Sequence, residues 1–161
     1  MNAAVLTVSD GVHAGVREDT SGETLEELLR EEGFDVTRRV VPDDRREISS
    51  AIEELAGSGA LLVLTTGGTG FAPRDVTPEA TRAVIDREAP GLAEAVRADA
   101  RTKTPHALLS RGVAGLRGAT LVVNLPGSPG GCRDGFAVLR PALRHGLELA
   151  SGDTATAHRQ T

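Results

Sequence analysis

Asp43, Asp75 and the stretch from Thr65 to Gly70 hold the residue types from which a site for phosphate oxygens can be built. The run Thr65-Thr66-Gly67-Gly68-Thr69-Gly70-Phe71-Ala72-Pro73-Arg74-Asp75 follows the apolar segment Leu61-Leu62-Val63-Leu64 and leads into Val76-Thr77-Pro78. Glycine lets backbone approach a ligand, because no Cβ intervenes, and successive amides in such a turn attract anionic oxygens. A tight turn without any ligand needs glycines as well, so both readings stand at this point. The run lacks the Lys-Ser/Thr ending of a P-loop and the GxGxxG spacing of dinucleotide folds.

Asp43 and Asp75 both sit in turns after predicted strands, so both are placed to face one crevice. Two ionised carboxylates about 4 Å apart repel by ~4 kcal/mol at an effective dielectric of about 20. A divalent cation removes that repulsion, and Mg²⁺ commonly joins one or two carboxylates to phosphates. Either acid alone also reads as an ordinary turn or cap residue, and Asp44 is expected to cap the helix that follows it. Ser9-Asp10 ends the first strand and reads equally as a turn signal or as part of a site. Arg74 is a phosphate partner or the mate of a neighbouring carboxylate. Ser128-Pro129 reads as a helix cap followed by a first-turn proline, whose free amides would suit an anion.

Other chemistries find less support. His13, His106, His145 and His158 show no metal-ligand spacing, and no Ser/His/Asp set has a local signature. Hydrolysis through a protein nucleophile is therefore not favoured. Cys132 is the lone cysteine. It reads as a small apolar filler in a helix rather than a nucleophile, and with no intrachain disulfide possible the cytosol is the expected compartment. The net charge of −5 and the absence of a basic stripe argue against nucleic acid. With three Phe and no Tyr or Trp, stacking is a poor general mechanism, and only Phe71 lies beside the candidate site. No apolar run approaches the ~20 residues needed to cross a bilayer, and Met1–Val8 reads as a strand rather than a signal peptide.

The elements that must position these residues follow from periodicity. Strands are expected at Val5–Val8, Asp35–Val41 and Ala60–Leu64, the last a continuous apolar run of the kind buried in a parallel sheet. Helices are expected at Glu23–Glu32 and Arg45–Ala56, with Gly11–Gly22 as a loop. Thr77 is expected to cap a helix that runs to Pro90-Gly91, where another begins. His106–Leu116 and Thr120–Leu125 read as strands joined at Arg117-Gly118 in an antiparallel pair. Phe136, Leu139, Leu143 and Leu147 mark a last helix. Residues 1–150 are expected to form one domain and 151–161 a flexible tail. Strands alternating with helices imply an α/β sandwich with a mostly parallel sheet covered on both faces. In such a fold ligands bind at the carboxyl ends of the strands. The loops there are Ser9-Asp10, Pro42-Asp43, Thr65 to Asp75 and Pro126 to Gly131.

The string TTGGTGFAPRDVTPEAT, Thr65 to Thr81, resembles the signature of the MoaB/Mog family of molybdenum cofactor biosynthesis proteins. Val8-Ser9-Asp10, Val41-Pro42-Asp43, Leu109-Ser110-Arg111 and Asn124-Leu125-Pro126-Gly127-Ser128-Pro129 agree with it in order and placement, and the resemblance covers about residues 3 to 150. It implies a three-layer α/β domain assembled as a trimer or a multiple of it. It also implies a cytoplasmic, Mg²⁺-dependent enzyme that transfers AMP from ATP to the terminal phosphate of molybdopterin and releases pyrophosphate. Under the resemblance Asp43 and Asp75 are the two essential acids and the candidate metal ligands. Thr66, Gly67, Gly68, Thr69 and Gly70 would line the nucleotide and pterin pocket. Ser9, Asp10, Ser110, Pro126, Gly127 and Ser128 would help to hold the substrates. Within the family a non-catalytic molybdopterin carrier is the alternative, and a nucleotide pyrophosphatase a third reading. No further domain is seen in the sequence, which favours the stand-alone form, and the molybdate-insertion enzyme is a candidate partner.

Overall fold

The computed structural model describes residues 1–152. Six strands form one sheet in the order β2-β1-β3-β6-β5-β4. β1 (Asn2–Val8), β2 (Asp35–Val41), β3 (Leu62–Thr66) and β6 (Thr120–Leu125) run parallel. β5 (Ala114–Arg117) and β4 (Arg87–Glu88) extend the sheet antiparallel beyond β6. The central strands alternate their burial between two cores, as side chains on successive residues point to opposite faces. Val5, Leu62, Leu64, Val123 and Leu125 pack with α2 (Thr20–Glu31), α5 (Pro90–Arg101) and α6 (Pro129–Ser151). Ala4, Leu6, Val63 and Val122 pack on the other face with α3 (Arg45–Gly57) and α4 (Thr77–Arg82). Each fully buried Leu, Ile or Val in these layers contributes roughly 1.5–3 kcal/mol. The result is the expected three-layer sandwich.

The winding reverses at β1. From β1 the chain steps outward to β2 through α2, then returns across β1 to β3 through α3 on the opposite face. Right-handed crossovers in opposite directions require opposite faces. The carboxyl ends of β1 and β3 therefore open onto a crevice at a switch point of the sheet, where neighbouring loops diverge.

Several local expectations change. Residues 11–22 are not a plain loop: Asp10–His13 form a short helix, α1, and α2 starts at Thr20. The Asp19 carboxylate accepts the Gly22 amide and starts α2 three residues early. Thr77 is inside α4 rather than its cap, and its hydroxyl donates to Gly67 O at 2.9 Å. The helix ends at Arg82 instead of reaching Pro90, because Asp86 and Ala89 donate their amides to Leu116 O and Ala114 O and make a sheet edge there. Residues 105–109 form a 3-10 turn, not a strand. Thr104 Oγ1 accepts the His106 amide, and Pro105 fits a tight first turn. The hairpin β5–β6 matches its expectation, with Arg117 opposite Thr120. α6 continues to Ser151 and closes on Gly152 at φ 76°, and the rest of the segment expected as a tail, residues 153–161, lies outside the described residues. Among the described residues no helix is long and apolar enough to cross a membrane.

Candidate active site

The loops after β1, β2, β3 and β6 meet at one end of the sheet. Gly67 and Gly68 both adopt left-handed backbone, at φ 98° and 69°. A Cβ on Gly67 would stand 2.3 Å from Val8 O, and one on Gly68 would stand 2.3 Å from Thr77 Oγ1. These two glycines are therefore required by the loop itself, which then runs flush against β1. Thr66 Oγ1 donates to Pro126 O at 2.7 Å and ties the β3 loop to the β6 loop. Beneath it, buried Asn124 donates to Thr65 Oγ1 and Thr81 Oγ1 and accepts the Val113 amide. That satisfied polar cluster fixes the strand ends without leaving an unpaired group.

Two clefts adjoin along this bed. The first, of about 260 Å³, is lined by Ser9, Asp43, Thr66, Gly67, Gly68, Asp75 and Gly127, with Asp19 and Ser21 from the start of α2. The second, of about 320 Å³, is lined by Thr69, Gly70, Ser110, Pro126, Gly127 and Ser128, with apolar walls from Val96, Ala107 and Leu109. The residues expected at a site, Asp10 excepted, thus fall on both sides of one glycine ridge, and Gly127 belongs to both clefts.

Asp43 and Asp10 exchange backbone bonds: the Asp10 amide donates to Asp43 Oδ2 at 2.9 Å and the Asp43 amide to Asp10 Oδ1 at 3.0 Å. Arg74 donates to both Asp10 oxygens, at 2.5 and 2.9 Å. Arg74 is thus paired with a carboxylate in this state. Its hydrogen bonds hold Asp10 below the usual carboxylate range. Asp10 serves chiefly to join the β1, β2 and β3 loops. Ser9 Oγ accepts the Val12 amide and caps α1. Ser128 Oγ accepts the Gly131 amide and caps α6. Ser110 Oγ approaches only the Gly112 amide, at 3.4 Å.

Each of the two singled-out acids keeps one oxygen uncommitted. Asp75 Oδ2 accepts the Ala72 amide at 2.9 Å, and Asp43 Oδ2 is held by Asp10. Asp43 Oδ1 and Asp75 Oδ1 accept nothing from the described residues. Burial, and then the charges of Asp10 and Asp75, push the Asp43 carboxyl above its usual range against the Asp10 amide bond and the Arg74 charge, which lower it. Two hard oxygen donors that repel each other suit Mg²⁺, whose remaining positions are filled by phosphates and water. No cluster of three or more His, Cys, Asp or Glu capable of holding a metal exists among the described residues.

Ionising Asp43 opposes folding. Well below the ordinary Asp range the group is protonated in both states and the cost vanishes; above its raised pKa the cost is complete. Asp43→Asn keeps an acceptor for the Asp10 amide and removes the charge. Thermal unfolding should show Tm raised by ~2 °C at pH 7, solvent screening of this half-buried group keeping the gain small. The gain should disappear by about pH 3. A lower Tm at neutral pH would contradict this account of the site.

Asp19, Thr20 and Ser21 were not singled out from the sequence, yet they line the acidic cleft. Asp19 accepts from Thr7 Oγ1, the Gly22 amide and Arg38 Nη2. The pattern Thr20-x-x-Glu23 was the available signal for a helix start there. Cys132 is buried beside Thr66, and burial pushes its thiol up to about 11. That fits the filler reading.

An α/β sandwich with a glycine-rich crevice at its switch point defines a class of ligand-binding domains rather than one protein. The family model described as "Probable molybdopterin binding domain" matches residues 4–145, and the chain belongs to that family. The molybdopterin adenylyltransferase of Helicobacter pylori J99 is 36% identical over 157 residues, covering 95% of this chain and 89% of that protein. The molybdenum cofactor synthesis protein cinnamon of Drosophila melanogaster is 39% identical over 94% of this chain, and the chain spans 26% of its length. The crystal structure of the molybdopterin biosynthesis enzyme MoaB from Thermus thermophilus superposes with a TM-score of 0.88 at 48% identity, covering 94% of this chain and 96% of that one.

Proposed function

We propose that this chain is a molybdopterin adenylyltransferase, joining the AMP part of ATP to the terminal phosphate of molybdopterin. The observation that carries the reading is the paired Asp43 and Asp75, each with a free oxygen, beside a bed of glycine amides between two clefts. The chain's likeness over most of its length to a protein named for that activity supports it.

The reaction needs no nucleophile from the protein. A terminal phosphate oxygen of molybdopterin attacks the α-phosphorus of ATP, a new P–O bond forms, and the bond to pyrophosphate breaks. The protein's task is to align two polyanions and to offset the charge that gathers on the α-phosphate and the leaving group. Mg²⁺, when bound, supplies that neutralising charge. Asp43 and Asp75 would hold it, and they otherwise make the cleft repel phosphate. The amides of Gly68 and Gly70, which donate to no described residue, would offer donors at fixed positions, while the Gly67 amide is bound to Leu125 O and holds the loop in place. The apolar walls of the second cleft suit a planar heterocycle, with Ser110 and Ser128 at hand for its polar edge. The cytoplasm, a trimeric assembly and the molybdate-insertion enzyme as recipient of the product complete this reading.

Pyrophosphate release tests it directly. Release should require ATP, molybdopterin and Mg²⁺ together, and omission of any one should abolish it. Tight pterin binding without release would select a carrier instead. Cleavage of a dinucleotide by the chain alone would select a pyrophosphatase.

A further inference from the structure

Arg111 touches neither cleft's phosphate-facing acids, yet it grips the loop that carries one of them. It lies in the extended segment between the 3-10 turn and β5, directly after Ser110. Its amide donates to Thr69 O at 2.9 Å. Its Nε donates to Gly70 O and its Nη2 to Asp75 O, both at 2.7 Å. Its Nη1 pairs with the Glu79 carboxylate in the first turn of α4.

Between the two gripped carbonyls run Phe71, Ala72, Pro73 and Arg74, all exposed. Arg74 ties the tip of that excursion to Asp10. The Arg111 guanidinium pins both of its ends, and the second end is the backbone of Asp75. The other Glu79 oxygen, Oε2, is buried with no partner. That carboxylate depends on Arg111 for its compensation, and losing the guanidinium would leave a charge unpaired. The three acceptors diverge from one planar fork, a geometry that a lysine ammonium does not reproduce.

We propose that Arg111 is a positioning residue, which clamps the Gly70 and Asp75 carbonyls and so holds the Asp75 carboxylate where it can take a divalent cation beside a nucleotide triphosphate. The inference rests on the adenylyl-transfer reading for its cation and nucleotide, but its test does not need turnover.

The test is a Mn²⁺ titration followed by electron paramagnetic resonance, with a non-hydrolysable ATP analogue present, on the full chain. Arg111→Ala should weaken Mn²⁺ about tenfold or more, the size seen when an outer-shell partner is lost. Arg111→Lys should weaken it similarly, and added guanidinium ion should restore Arg111→Ala but not Arg111→Lys. In an Asp75→Asn background Arg111→Ala should cost nothing further, because the two act on one bond to the metal. A merely structural role would instead give additive losses, and that result, or unchanged Mn²⁺ affinity in a folded Arg111→Ala, would overturn the proposal. Should Arg111→Ala not fold, Arg111→Lys and its double variant decide by the same criteria. If Asp75→Asn alone leaves Mn²⁺ binding unchanged, the proposal falls. If Mn²⁺ binds through Asp75 and depends on Arg111 while no adenylyl transfer occurs, the proposal stands and the enzymatic reading fails.

Discussion

Asp75→Asn should lower kcat for pyrophosphate release by about 10²–10³-fold while molybdopterin affinity stays within roughly threefold. The asymmetry follows from what the side chain does in the structure. Its Oδ2 accepts the Ala72 amide at 2.9 Å, and an asparagine oxygen can take over that bond. Loop shape and pocket walls should survive. What disappears is one of the negative charges lining the first cleft, and with it, on the adenylyl-transfer reading, the grip on the cation that would offset charge at the α-phosphate. On that reading the pterin sits in the second cleft, which Asp75 does not line, so equilibrium binding is the control. Equal loss of binding and turnover would mean that the substitution disturbs the pocket itself. Unchanged turnover would remove Asp75 from the chemistry.

Gly67→Ala should be the most damaging single methyl group in the site. The residue sits at φ 98° and its added Cβ would meet Val8 O at 2.3 Å. Backbone strain for a left-handed residue is roughly 1–2 kcal/mol, and a clash against main chain in a buried strand end has no flexible partner to move aside. A total cost of about 4 kcal/mol is expected, a Tm fall of ~10 °C. Gly118 offers the comparison. It too has positive φ, 55°, but a Cβ there meets nothing within 4 Å, so Gly118→Ala should cost only ~1 kcal/mol. Chemical denaturation of both variants separates dihedral strain from collision. Similar costs at the two positions would show that the β3 loop does not press on β1 as described.

β1, β3 and β6 were readable because they are short, mostly apolar runs followed by polar turns, and Ala60–Leu64 is the clearest case, whereas β2 carries Asp35, Arg38 and Arg39 among its valines. The loops at the carboxyl ends of β1, β2, β3 and β6 could be picked out for the same reason. Less legible were features set by tertiary contact. β4 is two residues long and charged, and it exists because Asp86 and Ala89 find carbonyls on β5. No periodicity marks that. Thr77 carried a good capping signal, yet its hydroxyl serves Gly67 O, a partner ten residues earlier. Asp19 looked like one more acid in a polar stretch. Its role depends on Thr7 and Arg38 arriving from two strands. The division of the site into an acidic and an apolar cleft also depends on how α5, the 3-10 turn and α6 close over the β6 loop, and linear spacing does not contain it.

The buried Cys132 has a practical use. It is the chain's lone sulfhydryl, fully enclosed and held in its neutral form by burial, so alkylating dyes should pass it by. A cysteine placed at exposed Phe71, on the excursion clamped by Arg111, would then be the single labelling position. A fluorophore or spin label there would report, without any background to subtract, whether that segment moves when nucleotide arrives.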